Sequence, residues 1–269
     1  MFSKYATVDG VALNYFHTGA STLPGTPPAL DRGELLLFLH GAGSNGHTWH
    51  RQLEYFDAAH SAVALDFPGH GRSGSTEGLP DLAAHVRCLA AFAGALRLRP
   101  AVLVGRALGG AVAVAFAAAH PERVRALVLV ATPERFEIPQ SALDTWRAVT
   151  MGRATQPFAM NLFSPTVDMA VVRECFMEQV KTDPRVRYTD MLACHGVDLG
   201  ERLAALRVPT LVITGRDDHF APPDRAESVQ RRIPGARLAV IDGAGHMLTS
   251  EQPAAFNAAV EQFLAELPR

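Results

Sequence analysis

A chain of 269 residues, 48% apolar and 19% charged, has the composition of a soluble globular protein and is long enough for one sizeable core. Its formal net charge of -2 and pI near 6.6 provide no basic field, which excludes nucleic acid and anionic membranes as expected partners. Three cysteines, Cys88, Cys175 and Cys194, form no metal-type cluster, and the odd number argues against a complete disulfide framework. The chain shows no apolar N-terminal leader and no stretch of about 18 uninterrupted apolar residues, so a reduced, cytoplasmic protein is expected.

Residues 11–16 follow an Asp9-Gly10 turn and read as an antiparallel edge strand, with residues 6–8 as hairpin partner. Residues 19–33 are a Gly/Pro-rich loop. Residues 35–39 are a continuous apolar run ending in His40-Gly41-Ala42-Gly43, the pattern of a parallel strand buried on both faces. A helix is expected over residues 48–59 and a strand over 62–65, closing in the loop Asp66-Phe67-Pro68-Gly69-His70-Gly71-Arg72-Ser73. Residues 81–98 have helical periodicity, broken by Pro100 before the next strand at Val102. That strand runs through Gly105-Arg106-Ala107-Leu108-Gly109-Gly110 into an alanine-rich helix ending near His120-Pro121, and residues 126–130 form a further buried strand. The alternation predicts right-handed crossovers and an α/β fold with a doubly wound, mostly parallel sheet.

The alternation breaks between residues 133 and 197, where helical segments carry many aromatic and methionine side chains. This segment reads as a helical cap over the strand ends, giving a core of residues 1–132 and 198–269 and a cap of 133–197. More than half of the large cap side chains are expected to pack the cap's own small core. Trp146, Met151, Phe158 and Phe163 are the expected lining of a largely apolar substrate pocket. The sheet resumes over residues 209–214 and 237–241, and a helix over 253–267 closes the chain.

A chain that leaves a buried strand and enters a helix within a residue or two bends sharply, placing one residue at strained, positive φ; Ala107 is that residue. Gly105 and Gly109 flank it where a Cβ would strike the neighbouring strand or helix, while the first helical amides stand unpaired toward the bend. The spacing is that of the G-x-S-x-G nucleophile elbow, and the sequence here resembles the α/β-hydrolase family, with Ala107 where the serine stands. The resemblance extends over nearly the whole chain and includes the loop at residues 66–73. Gly215-Arg216-Asp217-Asp218-His219-Phe220-Ala221-Pro222 is similar to the family's G-x-x-D-x-x-x-P, which puts Asp218 at the acid position and leaves Asp217 structural or solvent-facing. Gly243-Ala244-Gly245-His246 puts His246 at the base position, and the order elbow, acid, base is the family's.

The resemblance therefore implies catalytic positions at Ala107, Asp218 and His246, an oxyanion hole from the backbone amides of Ala42 and Leu108, and no metal or organic cofactor. A histidine titrates near neutrality, and a buried carboxylate on one ring nitrogen fixes its tautomer and stabilises its charged form. His40 and His70 read as structural, shaping the loops that carry them. His47, His50, His120 and His195 read as ordinary histidines, and the first two lack an obvious third metal ligand.

Alanine has no lone pair to attack with, so the chain as written cannot run a serine mechanism. Three readings stay open: a serine hydrolase altered at one atom to an inactive form, a non-catalytic ligand-binding protein, and a His-Asp dyad acting on a substrate with its own acidic proton. The first is favoured, because the elbow, its glycines, Asp218 and His246 are all in place and glycine would relieve positive φ better than alanine. Arg106 departs from the family's usual residue beside the nucleophile. It is expected to form a salt bridge beneath the elbow, with contact to a substrate carboxylate as the other reading. The implied activity is hydrolysis of a small to medium carboxylic ester, through an acyl-enzyme on residue 107 when it is serine. A carbon-carbon hydrolase of a β-diketone or ring-cleavage product is the alternative, with lactones and thioesters also open. The expected partner is a small-molecule substrate, and homodimerisation is left open.

Overall fold

The computed structural model describes residues 1–268, and the strands anticipated from the apolar runs form one sheet. A hairpin of β1 (Phe2–Val8) and β2 (Val11–His17) turns at Asp9 and Gly10, both at positive φ. Next come β3 (Leu35–Leu39), a 3-10 turn (Gly46–Trp49) leading into α1 (His50–Phe56), β4 (Ser61–Leu65), α2 (Leu82–Ala95), β5 (Ala101–Arg106), α3 (Leu108–Ala119) and β6 (Val124–Val130). Three helices follow: α4 (Gln140–Thr150), α5 (Met169–Gln179) and α6 (Pro184–Cys194). The chain then continues through α7 (Gly200–Ala205), β7 (Thr210–Gly215), α8 (Pro223–Arg232), β8 (Arg237–Ile241), the short α9 (Leu248–Glu251) and α10 (Pro253–Ala265).

The sheet has eight strands in the order β1-β2-β4-β3-β5-β6-β7-β8, and from β4 onward neighbouring strands are parallel. One expectation changes: β2 is not the edge, because it pairs antiparallel with β4 as well as with β1. The physical reason lies in burial, since β2 is covered from Leu13 to His17 whereas β1 is largely exposed until Val8.

Every residue of β3, β4 and β5 is buried, as continuous apolar runs require of strands covered on both faces. Successive side chains serve opposite faces. Leu35, Leu37 and Leu39 pack with Leu89 and Phe92 of α2 and with α3, while Leu36 and Phe38 pack with Leu53 and Phe56 of α1 and with Phe256 and Val260 of α10. The Asp81 side chain caps α2 by accepting from the Ala84 amide at 2.7 Å, which sets the start of that helix. Helix α3 is built almost wholly of small residues because it lies against backbone. A Cβ on Gly109 would stand 2.2 Å from the Leu39 carbonyl oxygen, and one on Gly105 would stand 2.3 Å from that of Gly109.

Helices α4 to α6 lie between β6 and α7, and polar contacts join this insertion to the loops at the strand ends. Asp190 of α6 accepts from the Gly43 amide at 2.8 Å, and Glu178 of α5 accepts from Asn45 at 3.2 Å. Ser164 donates its amide to Glu251 and its hydroxyl to Asp217, each at 2.7 Å. The His246 amide donates to the Leu162 carbonyl at 2.8 Å. Among the described residues, no helix is long and apolar enough to cross a membrane.

Candidate active site

A cavity of about 420 Å³ opens where the loops after β3, β5 and β8 meet the insertion. Ala42, Ala107, Leu108 and His246 face it from the sheet side, and Ala142, Trp146, Arg187 and Met191 from the helical side. Ala107 sits between β5 and α3 at φ 48° and ψ -109°, the strained turn anticipated from its glycines. Its amide donates to the Val130 carbonyl at 3.0 Å and its carbonyl accepts from the Ala111 amide at 3.0 Å, so both sides of the bend are anchored.

His246 Nδ1 lies 2.9 Å from Asp218 Oδ2, and the Phe220 ring stands edge-on to the imidazole at 5.0 Å between centroids. The other oxygen, Oδ1, accepts from the amides of Phe220 and Ala221 at 2.7 and 3.0 Å. Burial pushes the Asp218 carboxyl up. The facing His246 ring, its hydrogen bond and the two amides outweigh burial, and hold it below the usual carboxylate range. Asp217 faces elsewhere and holds the Ser164 hydroxyl. Among the described residues, neither the Ala42 nor the Leu108 amide finds an acceptor, and both residues face the cavity.

Of the four side chains expected to line the pocket, only Trp146 does. Phe163 is buried instead in the insertion's own small core with Val172 and Cys175. Phe158 is exposed and packs edge-on against Phe176, and Met151 is exposed at the end of α4. These three lie at the end of α4 or in the segments between helices, where aromatic density alone does not report direction. Arg106 also departs from expectation: among the described residues it makes no salt bridge, it faces the cavity, and its Nη2 donates to the Ser44 hydroxyl at 3.1 Å. Arg187, which sequence reasoning missed, faces the same cavity and lies over the Trp146 ring at 4.5 Å.

Behind the loops stands a buried ionisable cluster. His40 Nδ1 donates to the Gly41 carbonyl at 2.9 Å and Nε2 accepts from the Phe67 amide at 3.1 Å, so the ring is a neutral bracket between two loops. Burial, reinforced by His70, pushes its pKa down to about 3. His70 has acceptors on both nitrogens, the Pro68 carbonyl at 3.0 Å and Asp190 Oδ2 at 2.8 Å, which requires the imidazolium. Burial alone would depress His70, but Asp190 outweighs it and holds the pKa above the usual histidine value.

A doubly wound sheet of this order, with Ala107, Asp218 and His246 on loops at the strand ends under a helical cover, defines an α/β hydrolase. The model of the "Alpha/beta hydrolase family" matches residues 36–259, and the chain belongs to that family. It is 31% identical over 97% of its length, and 95% of the relative's, to a 2-hydroxy-6-oxononadienedioate/2-hydroxy-6-oxononatrienedioate hydrolase of Burkholderia vietnamiensis. It is 27% identical, over 87% of its length and 94% of the relative's, to a pimeloyl-acyl-carrier-protein methyl ester esterase of Neisseria meningitidis. Among solved structures, a malate-bound thermophilic esterase from Thermogutta terrifontis superposes with TM-score 0.85 and 25% identity over 99% of both chains.

Proposed function

We propose that the protein carries the binding and acid-base machinery of a carboxylic-ester hydrolase acting through residue 107, Asp218 and His246, and that alanine at 107 leaves it without a nucleophile. The observation that carries this reading is the 2.9 Å contact between His246 and the buried Asp218 beside an elbow that faces the same cavity as two free amides.

With serine at 107, the hydroxyl oxygen adds to the ester carbonyl as its proton passes to His246 Nε2. The negative oxygen that forms takes hydrogen bonds from the Ala42 and Leu108 amides. Collapse breaks the bond to the alcohol oxygen, which leaves with the proton from His246, and an acyl-enzyme remains. Water then repeats the sequence and releases the acid. Asp218 stays ionised throughout, holding the Nδ1 tautomer and the charge on the ring. The cavity's thiols are no substitute nucleophiles, because burial holds Cys175 and Cys194 above the ordinary thiol range and keeps them protonated.

The test is Ala107→Ser, assayed beside the parent with p-nitrophenyl acetate and butyrate and a ring-cleavage dienoate, with Ala107→Ser/His246→Ala as control. Restoring a triad member should raise the rate by about 10³-fold or more. A folded serine form with no turnover and no fluorophosphonate labelling would reject the reading. High activity already present in the alanine form, lost in His246→Ala, would favour the dyad. A preference for the dienoate would favour carbon-carbon hydrolysis, a second reading supported by the name of the Burkholderia relative.

A further inference from the structure

We infer that the substrate carries a free carboxylate, and that Arg106 and Arg187 form its binding subsite on the Ser44 side of the cavity. The inference rests on the hydrolase reading for the chemistry at residue 107, but not for the binding itself.

Arg106 is 3% exposed, and among the described residues its buried Nη1 has no hydrogen-bond partner. Its Nη2 reaches only a neutral hydroxyl, that of Ser44. Burial works against the charge, yet a guanidinium does not give up its proton, so a cation stands in the cavity wall. Cys175, an ionisable neighbour, is a thiol that burial keeps protonated and supplies no counter-charge. Arg187 adds a second cation. The carboxylate nearest to it, Asp190, is engaged by His70 and the Gly43 amide, and the direct partner of Arg187 is the neutral Gln179 amide oxygen, 3.0 Å from Nη2.

Two cations without a carboxylate between them, in a space whose other walls are largely aliphatic and aromatic, are costly to the fold unless an anion joins them. A guanidinium with unused in-plane donors matches a carboxylate's two oxygens. The placement fits a substrate. Arg106 precedes Ala107 in the chain, Ser44 lies two residues beyond Ala42, and the Arg187 stem lies over the oxyanion loop, where a Cβ on Gly43 would stand 2.5 Å from its Cγ. In a cavity of about 420 Å³, the carboxylate and the reacting carbonyl belong to one small molecule, such as the half-ester of a short dicarboxylic acid.

Calorimetric titration of the chain as it stands with glutarate, glutaramide and inorganic phosphate tests the subsite without turnover. Glutarate should bind about tenfold or more tightly than glutaramide, and Arg106→Gln should reduce that ratio by about tenfold or more, with partial recovery in Arg106→Lys. A merely structural arginine would destabilise when removed. Here Arg106→Met should melt at or above the parent, and glutarate should raise the melting temperature of the parent but not of the variant. Equal affinity of the parent for glutarate and glutaramide would overturn the inference whether or not the variants fold, as would an unchanged ratio in a folded Arg106→Gln. Tighter binding of phosphate than of glutarate would overturn the carboxylate assignment. Failure of Ala107→Ser to hydrolyse esters, with glutarate binding intact, would remove the serine mechanism and leave the subsite.

Discussion

Replacing Asp190 by asparagine should reverse the sign with which stability depends on pH between about 6 and 8. In the parent, His70 donates to Pro68 and to Asp190 and its pKa is raised, so the folded state holds a proton that the unfolded chain releases near pH 6.5. That contribution is complete below about pH 6.5 and is lost as pH rises through the folded value. An asparagine with its amide oxygen in the place of Oδ2 can still accept from both the Gly43 amide and Nε2, but it carries no charge to hold the imidazolium. Burial next depresses His70, and stability is lost instead as pH falls below about 6.5. Removing one partner of a buried ion pair costs about 3 to 5 kcal/mol, and each proton of difference changes the slope by about 1.4 kcal/mol per pH unit. The penalty of Asp190→Asn should therefore be largest at pH 6 and smallest at pH 8. The other groups facing the pair are His40, His85, Asp66, Arg187 and the protonated Cys194. Of these, His40 and His85 both have depressed values and stay neutral through most of this range. Urea denaturation of both proteins at pH 6, 7 and 8 measures the difference directly. Parallel stability curves would show that no proton is held between Asp190 and His70.

In the Ala107→Ser background, Asp218→Asn should lower kcat by about 10⁴-fold while Asp217→Asn stays within about tenfold, because only Asp218 touches the imidazole; steady-state kinetics of the two variants checks the assignment. Gly109→Ala should cost about 3 kcal/mol or more in urea denaturation, since its Cβ would meet the Leu39 carbonyl, which the sheet holds in place. Trp146→Ala should raise KM for butyrate esters by about tenfold in the same serine background, whereas Phe158→Ala, outside the cavity, should leave KM within about twofold.

Strands buried on both faces are legible because continuous apolar runs leave little choice, and residues 35–39 appear with the bounds their sequence implies, as does the partly exposed edge strand at 237–241. The elbow was legible for a related reason: Gly105 and Gly109 mark places where backbone meets backbone. Other elements gave weaker signals. Helix α8 buries only Ala226 and Val229 among charged neighbours, so its apolar periodicity is faint even though Pro223 marks its start. Helix α7 is six residues long, too short to show a repeat. At the site, residue types on loops after strands locate Ala107, Asp218 and His246, because loop and chemistry coincide there. Side chains on the insertion are another matter. Whether Trp146 or Phe163 faces the cavity depends on how each segment is rotated and packed, and the direction of Arg106 depends on the twist of a strained turn. The His70 to Asp190 pair joins positions 120 residues apart and had no local mark at all.

The contacts that tie Gly43 to Asp190, Asn45 to Glu178, Ser164 to Asp217 and Glu251, and His246 to Leu162 come from three of the insertion's segments and end on the loops after β3, β7 and β8 and on α9. A hinged lid would have to break them together, and the Asp190 contact also carries a buried ion pair. The helices over the cavity should consequently open only with the rest of the fold, as part of one cooperative unit, and α6 amides should exchange with deuterium as slowly as those of β5. Ligands should then enter through a mouth of nearly constant width. Exclusion of bulky molecules should accordingly fall sharply at a threshold of size, with little dependence on how long the two are left together.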